Sequence, residues 1–232
     1  MNSVVSEKKF IQERLGIPYE NLSQSYLRAE NRFASNGGSV SASQIIFNLQ
    51  RGQVATPVVT ENLLDLNDQF VITHFRLSLK LIPVGSTGGV VQNATATQEL
   101  TAALQFYPDP AIFGAVGTSN LQAIYNGNIS FTIDRKQFLP AFPSNAFYRV
   151  PSSQTGYITG QTGGATYANA GLNGYDNGLF GFYVSEPTLI DGRQTLDLSL
   201  NLGATVAFGP TTTTSYVAVF ETRGYLVVNA KS

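Results

Sequence analysis

Residues 195–202, TLDLSLNL, put Leu196, Leu198, Leu200 and Leu202 on one side of an extended chain and Asp197, Ser199 and Asn201 on the other. Burying a leucine fully contributes roughly 1.5–3 kcal/mol. A slip of one residue would turn all four to solvent, so this segment is fixed as a strand with one buried face. The same period of two recurs along the chain. Ile45, Phe47 and Leu49 alternate with Gln44, Asn48 and Gln50, and Phe75, Leu77, Leu79 and Leu81 alternate with His74, Arg76, Ser78 and Lys80. Leu100, Ala102, Leu104 and Phe106 follow it, as do Ile129, Phe131 and Ile133. The final run, SYVAVFETRGYLVVN, is long enough for two strands around a kink at Gly224.

Turn signals separate these runs at 85–89, Pro108-Asp109-Pro110, Asp134-Arg135-Lys136, Asp191-Gly192 and Gly209-Pro210. Asp134-Arg135-Lys136 predicts a hairpin joining 128–133 to Phe138-Leu139. Asn126-Gly127 is a second hairpin turn or a bulge inside one long strand; the bulge is preferred, because so little chain separates it from the alternating run. About thirteen or fourteen strand candidates result. One apolar and one polar face per strand points to an all-β antiparallel sandwich rather than a parallel α/β sheet.

The first 33 residues differ, holding nine of the chain's 29 charged residues. Two helical patterns fit this arm. Val4, Ile11 and Leu15 form one stripe before Gly16, and a second pattern begins near Pro18 with Leu22, Tyr26 and Phe33. The arm either packs on its own domain or reaches toward a neighbouring subunit or a membrane surface. MNSVVSEKKFIQERLG carries no apolar signal-peptide core, so synthesis in a cytoplasm is expected.

Residues 155–181 hold eight of the 22 glycines, with Tyr157, Tyr167 and Tyr175 and a single charge, Asp176. A loop of this composition is a candidate contact surface or a solvated excursion. Across the chain only 12% of residues are charged, about half the roughly 25% of ordinary soluble domains. A net charge of −1 gives copies little reason to repel one another, and there is no basic excess to neutralise nucleic-acid phosphates.

Chemistry is hard to find. His74 is the only histidine and sits on the polar side of its strand, so an exposed structural role is expected. Without cysteine, thiolate metal sites and disulfides are excluded. Asp176 with Asn173 and Asn177 is the best calcium candidate, but one carboxylate is thin. Glu99, Asp134, Glu186, Asp191, Asp197 and Glu221 are spread out; only Asp197 and Glu221 are candidates to face one another as a glycosidase pair requires. No catalytic residue, metal or cofactor is assigned, and the chain is expected not to be an enzyme.

LQAIYNGNISFTIDRKQFLPAFPSNAFYRVP (121–151) and FETRGYLVVNAKS (220–232), with the charged arm, the short strands and the lack of cysteine and tryptophan, resemble a bacteriophage virion protein. The likeness is to the double jelly-roll major capsid proteins of tailless icosahedral phages with an internal membrane. It implies two jelly rolls in tandem: a helical arm at 1–38, a first jelly roll at 39–145 and a second at 146–232, the alternative being one elaborated sandwich over 39–232. It further implies homotrimers tiling an icosahedral shell, a vertex protein as neighbour and a location in the virion. Lys8, Lys9 and Arg14 would then lie on the inner, membrane-facing side, and Tyr157, Tyr167, Tyr175 and Asp176 at intersubunit or outer loops. The alternative is a carbohydrate- or receptor-binding β-sandwich that uses loop 155–181.

Overall fold

The computed structural model describes residues 2–33, 40–54, 58–83, 86–87, 90–91, 95–150, 182–208 and 214–227. Among them the elements run α1 (Asn2–Leu15), β1 (Leu22–Phe33), β2 (Val40–Phe47), β3 (Gln69–Pro83), β4 (Ser86–Thr87), β5 (Val90–Val91), α2 (Ala96–Thr101), α3 (Pro110–Tyr125), β6 (Asn128–Ile133), β7 (Lys136–Pro143), β8 (Phe182–Asp191), β9 (Leu196–Phe208) and β10 (Thr214–Val227). Eight strands make two open, four-stranded antiparallel sheets: sheet A in the order β1-β10-β3-β8 and sheet B in the order β2-β9-β6-β7. The short β4 and β5 pair only with each other.

One apolar core lies between the sheets. Leu27, Ala29, Phe75, Leu77, Leu79, Ala218 and Phe220 meet it from sheet A. Ile45, Phe47, Ile129, Phe131 and the four leucines of TLDLSLNL meet it from sheet B, and α3 adds Phe113, Leu121, Ile124 and Tyr125. The leucine register is therefore as the alternation predicts. The Asp134-Arg135 hairpin also forms, with both residues at positive φ (48° and 67°), the conformation of a two-residue primed turn.

Two expectations about fold class are overturned. The chain is not all-β: α1, α2 and α3 make it a mixed α/β structure. Nor does it contain two jelly rolls in tandem, which require about sixteen strands. The late strands β9 and β10 each insert between early ones, β9 between β2 and β6, and β10 between β1 and β3. The resemblance to double jelly-roll capsid proteins is withdrawn with that architecture.

Local corrections have local causes. The second helical pattern of the arm is instead a turn of 3-10 helix at Tyr19–Asn21 followed by β1. Leu22, Tyr26 and Phe33 share helical spacing, but Leu27 and Ala29 are what enter the core, alternating with Tyr26, Arg28 and Glu30. The strand read at 100–106 begins as α2, started by a capping box: the Gln98 amide donates to Thr95 Oγ1 (3.3 Å) and the Thr95 amide to Gln98 Oε1 (2.7 Å). Asn126-Gly127 is neither hairpin turn nor bulge. It links the end of α3 to β6, and a Cβ at Gly127 would lie 2.4 Å from the Asn201 carbonyl oxygen. Gly16 ends α1 with φ +69°, its amide donating to the Gln12 carbonyl, as glycine past a helix end commonly does.

The run 214–227 is one strand, and the irregularity near Gly224 sits opposite it in β3. Arg223 pairs with His74 and Gly224 with Ile72, which leaves Thr73 as an extra residue. Inward-facing residues are therefore even-numbered before this bulge (Phe70, Ile72) and odd-numbered after it (Phe75, Leu77, Leu79). Gly224 is needed for the close approach, since its Cβ would lie 1.8 Å from the Val71 carbonyl oxygen. Gly224→Ala is expected to cost ~1–3 kcal/mol by overpacking, read as a lower urea midpoint. Gly52→Ala, with nothing within 4 Å of its Cβ, should stay within about 0.5 kcal/mol of wild type.

Candidate functional site

Much of the outer face of sheet A is covered as well as its inner one, whereas its sequence reads as half-exposed. At one end of its outer face α1 lays Ile11 and Leu15 against Leu22, Val71, Tyr225 and Val227. At the other end Ala102 and Leu104 cover Ile82, Val217 and Val219. Between these apolar ends lies a stripe of charge.

The strand register builds that stripe. Arg28 of β1, Glu221 of β10 and Arg76 of β3 stand in one cross-strand row of alternating sign. Arg28 Nη1 lies 3.7 Å from Glu221 Oε1, and Arg76 pairs with Glu221 Oε2. Arg28 also reaches along its own strand to Glu30 (2.7 Å). Lys80, fully buried, extends its ammonium to Glu30 (2.6 Å), Glu99 (3.0 Å) and the Thr60 hydroxyl (3.0 Å). Arg32 closes the ladder on Glu99. Segment 58–62 seals the edge: the Asn62 and Arg28 backbones exchange hydrogen bonds, and the Glu30 amide donates to Glu61 Oε1 (3.0 Å).

The ladder's electrostatics follow from burial set against pairing. Burial pushes Glu30 up, but Lys80, Thr60 and Arg28 together outweigh it and hold its carboxyl below the usual range. Burial pulls Lys80 below an ordinary lysine, with Glu30 opposing, and pulls Arg76 down against Glu221.

Beside the ladder, under the edge of α1, is a cleft of about 440 Å³ lined in part by Glu7, Tyr26, Arg28, His74, Arg223 and Tyr225. The Thr73 bulge sets His74 in register with Arg223 here. His74 Nδ1 lies 2.8 Å from the Thr73 hydroxyl. Its imidazole is half-buried; burial moves it below the usual histidine range, Glu7 opposes that shift and Arg223 adds to it. Tyr225 donates its hydroxyl to Glu7 Oε2 (2.8 Å) and so ties α1 to the sheet.

The sequence candidates fare unevenly. Lys8 is held on its own sheet, its ammonium on the Leu22 carbonyl (2.5 Å) and over the Tyr19 and Tyr225 rings. Lys9 is exposed on α1, and the exposed Arg14 lies over the Phe10 ring at 5.5 Å. Tyr157, Tyr167, Tyr175 and Asp176 lie outside the described residues, as do Asn173 and Asn177. Asp197 and Glu221 do not meet: Asp197 is on the outer side of sheet B and Glu221 on the outer side of sheet A. Among the described residues no group of three or more His, Cys, Asp and Glu side chains could hold a metal ion, and no helix is long and apolar enough to cross a membrane.

The ladder and the cleft were missed at the sequence level. The ladder's signal was present as charge at period two, in Arg28, Glu30 and Arg32 and again in Arg76 and Lys80.

Sheet B offers a different surface. Its outer face shows the cross-strand rows Gln44–Asn201–Asn128 and Ile46–Ser199–Ser130 on β2, β9 and β6. Asp197 is the one charged residue in these three strands, and Ile46 is 55% exposed.

Comparison of the chain with protein-family models, with curated proteins and with solved structures finds no match. The expectation of a shell-forming capsid protein is overturned by the mixed α/β fold, its two open sheets and its buried ion-pair ladder. The carbohydrate-binding sandwich depended on the same all-β class, and its loop lies outside the described residues.

Proposed function

We propose that this chain is a non-catalytic scaffold domain that associates with further copies of itself through the outer face of sheet B. The observation that carries this reading is the contrast between the sheets. Sheet A is covered over much of its outer face, leaving the cleft beside α1, and draws seven charged side chains into an internal ladder. Sheet B presents neutral amides, hydroxyls and an exposed isoleucine. A face with a single acid can meet its own copy without like-charge repulsion, and interface cores are poor in Lys, Glu and Asp. The ionisable groups of the ladder serve structural pairing, in keeping with a domain that performs no reaction.

The test is molar mass by light scattering across a dilution series. An integer multiple of the 25.0 kDa chain is expected. The double variant Ile46→Lys/Ser199→Lys puts two cations on neighbouring residues of one row, and should dissociate the assembly at concentrations at least tenfold higher than wild type. A wild-type monomer at every concentration sinks the proposal, and so does a variant that assembles as wild type does.

A further inference from the structure

We infer that the cleft under α1 binds a small molecule through one oxyanion group, a carboxylate or a phosphate, held between Arg28 and Arg223. Both arginines line the cleft. Arg223 of β10 stands opposite Tyr26 of β1 in the strand register, and so diagonal to Arg28, which stands opposite Glu221. Diagonal positions on paired strands are about 7–8 Å apart, within reach of long side chains. Each arginine has donors left over. Arg28 commits Nε and Nη2 to Glu30. Its Nη1 lies 3.7 Å from Glu221 Oε1, an ion contact too long for a hydrogen bond. That nitrogen is not among the enclosed polar atoms, so a ligand can reach it. Arg223 is exposed, and its guanidinium makes no ion pair among the described residues.

The acids of the cleft do not fill these positions. Glu221 turns Oε2 to Arg76, and Glu7 has one oxygen on the Tyr225 hydroxyl and the other enclosed. The guanidiniums also repel one another: burial first, and then the charges of Arg223 and Arg28, pull Arg76 down against Glu221. An anion between Arg28 and Arg223 offsets that repulsion and accepts charge-assisted hydrogen bonds from both. A cavity of about 440 Å³ has room for more than the anionic group. Tyr26, 46% exposed, gives the rest of the ligand an aromatic wall. This site shares no residue with the sheet B face and is independent of self-association.

His74 makes the experiment direct. It is the only histidine in the chain and lines the cleft in register with Arg223, so its imidazole proton signals in an NMR spectrum report on this site alone. Acetate, benzoate, inorganic phosphate and phenyl phosphate are titrated into the full chain at constant pH and ionic strength, with chloride and benzyl alcohol as controls. At least one oxyanion should shift the His74 signals saturably, with a midpoint at least tenfold below both controls. Tighter binding of benzoate than of phenyl phosphate assigns a carboxylate, and the reverse a phosphate. Arg223→Gln, at an exposed position, should weaken that binding tenfold or more. Arg28→Lys keeps a cation beside Glu30 but removes Nη1, and should weaken it at least threefold; circular dichroism checks that each variant is folded. The proposal is overturned if no oxyanion gives a saturable shift, if chloride or benzyl alcohol binds as tightly, or if either folded variant binds like wild type.

Discussion

Lys80→Ala is expected to destabilise the protein by ~3–5 kcal/mol, the range for removing one partner of a buried ion pair. Among the described residues the ammonium alone forms ion pairs with both Glu30 and Glu99 at the centre of the ladder, and its side chain is fully enclosed. Its loss leaves two buried carboxylates with their remaining arginine and threonine partners and no cation between them. Urea unfolding followed by circular dichroism measures the effect. Replacing the group as a unit, with Lys80→Met, Glu30→Gln and Glu99→Gln together, should recover part of the loss, because neither carboxylate is then left charged in the interior; Arg32, which pairs with Glu99, and Arg28, which pairs with Glu30, lose those partners and limit the recovery.

The same variant makes a pH prediction of definite sign. In the wild type Glu30 titrates below its unfolded value. Its contribution is present above the unfolded carboxylate range, near pH 4.3, and fades as pH falls through the lower folded value. Without Lys80, burial still pushes Glu30 up while only Thr60 and Arg28 oppose it, so its folded value moves up from that of the wild type. The variant should therefore lose less stability than the wild type as pH falls. The gap between variant and wild type is thus widest near neutral pH and narrows in acid. A gap independent of pH between 7 and 4 would mean that Lys80 acts through packing and not through charge.

What the sequence made legible was each strand whose partner surface is simply apolar. The leucines of 196–202 have one good register, and the Asp134-Arg135 turn fixes its own hairpin. What it hid depended on distant segments. Arg76 and Lys80 look like solvent-facing residues because nothing near them in sequence shows that α1, segment 58–62 and α2 will lie over that face. Arg28, Glu30 and Arg32 favour no strand on propensity; they are stable in β1 because Glu221, Lys80 and Glu99 meet them from other elements. Two misreadings were avoidable. The Thr95–Gln98 capping box was visible before α2, and the charges at period two in 28–32 pointed to a strand rather than a helix. The cleft was not legible, because it needs the Thr73 bulge to bring His74 beside Arg223, and a bulge appears only once two strands are paired.

Phe75→Ala is expected to cost ~3–5 kcal/mol, the range for a buried phenylalanine replaced by alanine. Phe75 lies on β3 of sheet A, yet its ring packs on Phe131 of β6 and Phe138 of β7 in sheet B, at centroid distances of 6.3 Å and 6.1 Å. It also meets Phe220 of its own sheet at 5.6 Å. The substitution therefore opens a cavity between the sheets rather than within one of them. Neither sheet can close it by a small shift, since each is pinned by its own ladder of hydrogen bonds. Phe75→Leu keeps most of the volume and should cost markedly less. Both are read as midpoint changes in urea at pH 7. If Phe75→Ala costs under about 1 kcal/mol, well below the range for a filled core, the sheets do not share one packed interior. If it falls in the expected range and the alanine variant still binds and assembles as wild type does, stability resides in the shared core and function on the two outer faces.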